Sequence, residues 1–137
     1  MPGTWKSPAP GDIVWCHFPE LPDSNPGPKP RPALVMMVVT QEDGVVVHVV
    51  YGTSQRVDQP RADEFAILKA NNPDAYALAG LAFDTKFDFK VTVELPWTEQ
   101  FFKIPPRARY GQTPKLGILH PSLMRAAKAA HSAAANR

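Results

Sequence analysis

The chain of 137 residues carries a formal net charge of +2 and has an isoelectric point near 8.8. This length fits one domain with a single core, which we place at residues 11–137 after a flexible arm at residues 1–10. No apolar run approaches the roughly 20 residues of a membrane helix, and the first ten residues lack the apolar region of a secretory signal, so no membrane partner is expected.

Proline is unusually frequent, at 16 of the 137 residues, against a typical share of about 5%. The prolines gather in residues 2–10, 19–32 and 96–114 and leave the valine-rich runs clear. Since proline cannot donate a hydrogen bond within a sheet, this distribution predicts strands joined by stiff, irregular loops. It favours a small, mostly antiparallel β-barrel over a helical bundle.

The first predicted strand covers residues 13–18, an apolar run that stops at Pro19. It contains the single cysteine, Cys16, which cannot form an internal disulfide and is expected to be a buried thiol in a cytoplasmic protein. His17 lies in the same run, where a hydrogen-bonded structural histidine is more common than a catalytic one.

The loop at residues 20–30 is too long for a tight hairpin, and loops of this length often carry function. It ends in alternating prolines around Arg31, and Pro32 biases that arginine towards an extended backbone. A planar guanidinium held by a stiff loop at the rim of a sheet suits a phosphate ligand. The alternative is an ordinary arginine that solvates a strand end.

Residues 33–39 and 45–51 form the second and third predicted strands, with an Asp43-Gly44 turn signal between them. Together with the first strand they predict an antiparallel meander, whose third strand ends at Thr53. A short strand at residues 65–68 follows. A short helix is then expected at residues 74–79, after Asn72-Pro73 and before Gly80.

In residues 85–89 and 91–95, alternating side chains predict two strands, each with one buried face. Lys86 and Asp88 share the other face. Residues 116–119 give a last edge strand, and His120-Pro121 begins a C-terminal helix. The whole pattern predicts a barrel of roughly five to seven strands with a short internal helix and a C-terminal helix.

The proline-rich stretch at residues 96–114 combines aromatic residues with the cations Arg107 and Arg109 beside Tyr110. Aromatics among cations can stack bases and hold a phosphate backbone, and the weak positive charge of the chain permits a nucleic-acid partner. The alternative is a solvated loop with its aromatics turned inward. One cysteine and four scattered histidines do not suggest a metal site, and no cofactor is expected.

The segments Gly-Asp-Ile-Val-Trp at residues 11–15 and Arg-Pro-Ala-Leu-Val at residues 31–35, followed by a valine-rich strand that ends in Thr53, resemble the MazF/PemK toxins of bacterial toxin–antitoxin systems. The likeness continues through residues 85–95 to the closing helix. It implies an SH3-like barrel of the MazF/PemK/CcdB type and a cytoplasmic homodimer held silent by an antitoxin. It also implies metal-independent cleavage of single-stranded RNA by attack of the ribose 2′-OH.

Arg31 matches the catalytic arginine of that family, and Thr53 matches the threonine that hydrogen-bonds the phosphate. Lys86 and Asp88 resemble an Arg-x-Asp pair of one branch of the family, with lysine in place of arginine. The flanking residues expected to contact RNA are Lys29, Ser54 and Gln55, together with Arg107, Arg109 and Tyr110.

The first loop departs from the family pattern, since a His-Glu-Gln segment common in the family is replaced by Pro-Asp-Ser-Asn-Pro at residues 22–26. Glu20, Asp23 and Asp88 are the candidates for the group that takes the 2′-OH proton, and the sequence does not choose among them. The altered loop also keeps two other functions open: a non-catalytic toxin that binds gyrase, and an SH3-like binding module. The pair of Arg31 and Thr53 favours the nuclease, because a gyrase binder does not need a phosphate-contacting pair.

Overall fold

The computed structural model describes residues 5–136. Six strands are formed, and they are β1 (Asp12–Cys16), β2 (Arg31–Gln41), β3 (Gly44–Thr53), β4 (Glu64–Ile67), β5 (Thr85–Pro96) and β6 (Lys115–Ile118). The helices are α1 (Pro73–Ala79) and α2 (Met124–Ala135), and a short 3₁₀ turn (Pro121–Leu123) leads into α2.

The six strands form one antiparallel sheet in the order β4-β5-β3-β2-β1-β6, curled into a half-barrel. The predicted meander of the first three strands is confirmed, because β1 pairs with β2 and β2 with β3. The expected short internal helix and C-terminal helix are also present, and α1 ends at Gly80 with φ of 71°, which glycine adopts without strain. The predicted mostly β fold class is therefore confirmed.

The two faces of the curled sheet bury different apolar clusters, as the alternation along a strand requires. One cluster joins Ile13, Leu34 and Phe87 to the buried side of α2. The other cluster, on the opposite face, contains Val14 and Val49 together with the aromatic residues of the loop after β5. Cys16 lies in this second cluster, and its burial raises the pKa of the thiol, so the expected buried thiol is confirmed.

Residues 85–95, predicted as two strands, form the single 12-residue strand β5. Neighbouring β3 residues Val50 and Tyr51 pair with Thr92 and Asp88, so residues 89–91 make a bulge within β5. A bulge bends a strand and increases its twist. The bulge allows one long strand to follow the curvature of the half-barrel. It also interrupts the alternation of buried and exposed side chains, which is why the sequence predicted two strands.

The predicted arm at residues 1–10 lies partly outside the described residues, which begin at Trp5. The Trp5 ring packs edge-on against Trp97 with their centroids 5.7 Å apart. The Trp97 Nε1–H donates to the carbonyl oxygen of Lys6 at 3.2 Å. The flexibility of the arm stays a prediction. None of the helices in residues 5–136 has the length and apolarity needed to cross a membrane.

Candidate active site

The loop that leads to Arg31 is fastened to the residue after β1. The His17 Nδ1–H donates to the carbonyl oxygen of Gly27 at 2.8 Å, and the Gly27 N–H donates back to the His17 carbonyl oxygen at 3.1 Å. A Cβ atom at Gly27 would overlap the carbonyl oxygen of Phe18, so only glycine fits this approach. The structural role predicted for His17 is confirmed, and its consequence is a fixed path for the loop.

Arg31 is the first residue of β2 and pairs with Cys16 of β1. Its guanidinium lies 5.8 Å from the centre of the Tyr51 ring, within the range of a cation–π contact. The half-buried side chain lines an open cavity of about 270 Å³, which Glu20 and Lys29 also line. Aromatic walls and several polar groups around an open cavity fit a polar, partly planar ligand.

Thr53 is the last residue of β3 and lies beside Arg31. Ala33 pairs with Tyr51, and the same antiparallel register places Arg31 opposite Thr53. A Cβ atom on the intervening Gly52 would overlap the carbonyl oxygen of Pro32, so glycine is what allows β2 and β3 to come this close.

The Thr53 hydroxyl is oriented by the turn that follows it. Its Oγ1 accepts the backbone N–H of Gln55 at 3.1 Å. A hydroxyl has one proton and two lone pairs, so this bond leaves the hydroxyl proton uncommitted, although Thr53 as a whole is only 8% exposed. Ser54 and Gln55 follow as exposed residues of the same turn.

Lys86 lies on the same face of the sheet, since it pairs with Thr53 across β3 and β5. The side chain is only 9% exposed, and its Nζ lies 3.0 Å from Oε1 of Glu64. Lys86 and Asp88 share one face of the sheet, as predicted. Both residues are buried on that face. Lys86 is therefore engaged in a buried ion pair, with little surface to offer a ligand.

Asp88 pairs with Tyr51 on that face, and both of its carboxylate oxygens accept hydrogen bonds. Oδ2 accepts from Arg61 Nη2 at 3.1 Å, and Oδ1 accepts the Lys90 N–H at 2.9 Å. Sequence reasoning missed Arg61 and Glu64. The available signal was the charged run at residues 61–64, directly before the predicted fourth strand.

Glu64 is held in its charged form by its neighbours. Burial pushes the pKa of this carboxyl upwards, but the Arg61 backbone N–H, at 2.8 Å, and the Lys86 ammonium outweigh burial and leave the pKa below its usual value. Because the folded pKa is the lower one, the contribution of Glu64 to stability is complete above the unfolded value of about 4.5. It is lost as the pH falls through the folded pKa.

We therefore expect the free energy of unfolding to decline with falling pH below about 4.5, and Glu64→Gln to make that decline shallower. Urea unfolding at several pH values between about 3 and 7 measures both slopes. Glu42→Gln, in the exposed turn between β2 and β3, is the matched control and should keep the wild-type slope. Equal slopes for Glu64→Gln and wild type would contradict the assigned cause.

The structure groups Arg109 and Tyr110 with a different part of the surface. Arg109 Nη1 donates to the carbonyl oxygen of Ala77 in α1 at 2.8 Å. The Tyr110 ring lies 4.5 Å from Nζ of Lys115 in β6, and β6 is the edge strand opposite β4. Arg107 is exposed in the same loop, whose aromatics Trp97, Phe101 and Phe102 are buried. Their contact with RNA stays a prediction.

Within residues 5–136, no group of three or more histidine, cysteine or acidic side chains is arranged to hold a metal ion. The carboxylates of Glu64 and Asp88 are held by the cations Lys86 and Arg61. What the described site offers an incoming ligand is the Arg31 guanidinium and the open cavity that it lines, and the buried Thr53 hydroxyl lies on the neighbouring strand.

Comparison with known proteins identifies the fold. No model of a known protein family matches this chain, and no curated protein matches it. Among solved structures, the chain is similar to an endoribonuclease in complex with its cognate antitoxin from a mycobacterial species. The likeness covers 95% of this chain and 96% of the other, with a TM-score of 0.55 and 15% sequence identity. At this identity the comparison shows that the two proteins share a fold.

Proposed function

We propose that this protein is the toxin of a type II toxin–antitoxin system and acts in the cytoplasm as a MazF/PemK-like endoribonuclease on single-stranded RNA. The observation that carries the proposal is the open cavity lined by Arg31, with Thr53 at the end of the adjacent strand, opposite Arg31 when the β2–β3 register is continued by two residues. A cation and a free hydroxyl proton at such a position suit a phosphodiester. The shared fold with an endoribonuclease is consistent with this function.

The proposed reaction needs no group beyond the RNA, the side chains of the protein and water. The ribose 2′-OH loses its proton to a base and attacks phosphorus, which forms the 2′-O–P bond. The bond from phosphorus to the 5′-oxygen breaks, and that oxygen takes a proton from water. Arg31 and Thr53 donate to the non-bridging oxygens as negative charge grows on them. The products are a 2′,3′-cyclic phosphate and a 5′-hydroxyl.

Among the three candidate bases, the geometry favours Glu20. Its exposed carboxylate lines the same cavity as Arg31. Asp23 accepts the Asn25 N–H at 2.9 Å in its own turn, and Asp88 is bound to Arg61 and Lys90. A base must lie within reach of the proton that it takes, and of the three candidates Glu20 is the one that lines the cavity beside Arg31.

Incubation of the purified protein with a long single-stranded RNA, with and without EDTA, tests the proposed function. We expect discrete fragments that end in a 2′,3′-cyclic phosphate at equal rates in both samples, because the ribose supplies the nucleophile. A protein that binds the RNA but leaves it intact would instead be a binding module. A protein with no effect on RNA would favour a toxin with another target, such as gyrase.

We further propose that the toxin is a homodimer and that its antitoxin covers the RNA site. Met37 of β2 and Met124 of α2 are 54% and 41% exposed, and both line an apolar groove of about 390 Å³. Exposed apolar surface of this kind favours self-association. Sedimentation of the wild-type protein should give a dimer at tens of micromolar, and Met37→Glu should shift the equilibrium towards the monomer. A monomeric wild-type protein at that concentration would contradict the proposal.

A further inference from the structure

Arg61 is an exposed cation at the edge of the candidate site. It precedes β4, and its side chain is 58% exposed although its guanidinium lies close to three carboxylates. Its Nη2 is 3.1 Å from Oδ2 of Asp88 and 3.7 Å from Oε2 of Glu64. These contacts fix the guanidinium while part of it faces solvent.

The sheet register relates Arg61 to the pair proposed to hold the scissile phosphate. Asp88, which Arg61 contacts, pairs with Tyr51, and Thr53 is two residues further along β3. Arg31 lies on the β2 side of Thr53, whereas Asp88 lies on its β5 side. Arg61 therefore approaches the same face of the sheet from the side opposite Arg31.

Charge makes Arg61 the important cation on this side. The cluster around it contains the carboxylates of Asp63, Glu64 and Asp88 and the cations of Lys86 and Arg61, so negative charges outnumber positive ones by three to two. Lys86 is buried against Glu64. The three carboxylates are 2%, 3% and 11% exposed and Arg61 is 58% exposed, so a polyanion that crosses this face meets the guanidinium and not the carboxylates.

Arg61 also keeps the donors that such a contact needs. A guanidinium has five N–H groups in a planar fork. The contacts to the three carboxylates come from Nη2 and Nε, which leaves the edge that carries Nη1 for another anion. The charges of Glu64 and Asp88 raise the pKa of Arg61, so the side chain is cationic throughout the range in which RNA is stable.

We propose that Arg61 binds a second phosphate of the RNA, adjacent to the phosphate held by Arg31 and Thr53, while Asp88 fixes the orientation of the guanidinium. This inference rests on the proposed function. It makes Arg61 a substrate-binding residue for the phosphodiester backbone, and it assigns the Arg61–Asp88 pair to the positioning of the single strand and not to bond cleavage.

Binding of a fluorescent 2′-deoxy oligonucleotide, which cannot be cleaved, tests the inference over a range of salt concentrations. Each phosphate contact to a single strand contributes about 0.7 to the slope of log K against log salt. Arg61→Met should therefore lower the magnitude of that slope by about 0.7. Arg125→Met, at an exposed position of α2, is the matched control and should keep the wild-type slope.

The double variant Arg61→Met/Asp88→Asn removes the cation while keeping the net charge of the cluster as in the wild type, so it tells a lost phosphate contact from a change in overall charge. It also guards against misfolding, because it leaves no unpaired carboxylate at residue 88. A slope lowered in both variants supports the inference. An unchanged slope in Arg61→Met, or a slope restored in the double variant, overturns it. If the slopes overturn the inference but the wild-type protein still binds and cuts RNA, the proposed function stands. If the wild-type protein neither binds nor cuts RNA, both the proposed function and the role of Arg61 are refuted.

Discussion

Arg31→Ala should lower the rate of RNA cleavage by roughly 10²–10³-fold, the usual effect of losing one preorganised donor to a developing negative charge. Arg31→Lys should recover only part of the rate, because an ammonium cannot make the paired hydrogen bonds of a guanidinium. Thr53→Ala should lower the rate by less, since a neutral hydroxyl donates a weaker hydrogen bond than a cation. Single-turnover cleavage of a defined RNA measures all three rates.

The same variants should remain folded. Arg31 is half-buried at the start of β2 and has its aromatic contact with Tyr51, so its loss should cost about 1 kcal/mol or less. Thermal unfolding measures this cost, and Arg125→Ala on α2 is the control for the loss of one positive charge. Wild-type cleavage by a folded Arg31→Ala variant would refute the catalytic role. Failure of that variant to fold would identify Arg31 as a structural residue.

Replacing the single ribose at the cleavage site by 2′-deoxyribose should abolish cleavage, because the proposed nucleophile is then absent. Binding should change little, since the phosphate contacts of Arg31 and Thr53 do not involve the 2′-OH. Gel analysis of the modified and unmodified strands measures cleavage, and fluorescence anisotropy of the same strands measures binding. Cleavage of the modified strand at the same position would rule the mechanism out.

The base in this mechanism is tested with the unmodified strand. Glu20→Gln should lower the single-turnover cleavage rate, because an amide cannot accept the proton. Asp23→Asn, in the same loop, is the matched control and should keep the wild-type rate. A wild-type rate in Glu20→Gln would assign the proton transfer to another group.

The strands that carry the site could be predicted from the sequence because their signals act over a few neighbouring residues. Valine-rich runs favour extended backbone, and prolines exclude it from the flanking loops. The Asp-Gly turn brings β2 and β3 together as a hairpin. The positions of Arg31 and Thr53 at adjacent strand ends follow from these local signals alone.

The surroundings of Lys86 and Asp88 could not be predicted in this way. Local alternation placed both on one face, which is correct, but it did not predict that this face is covered by other charged side chains. Arg61, in the loop before β4, reaches Asp88 across 27 residues of sequence, and Glu64, the first residue of β4, reaches Lys86 across 22. Such contacts depend on how β4 aligns with β5, and alternation within one strand carries no information about that alignment.

By itself, therefore, the sequence determined the class of fold, the meander and the strand ends that hold Arg31 and Thr53. The tertiary structure decided which charged groups remain accessible there. It buried Lys86 with Glu64, left Arg61 exposed and placed Arg109 and Tyr110 beside α1 and β6. The physical reason is that backbone preference is local, whereas the pairing of charges requires the strand register and the β5 bulge that bring distant residues together.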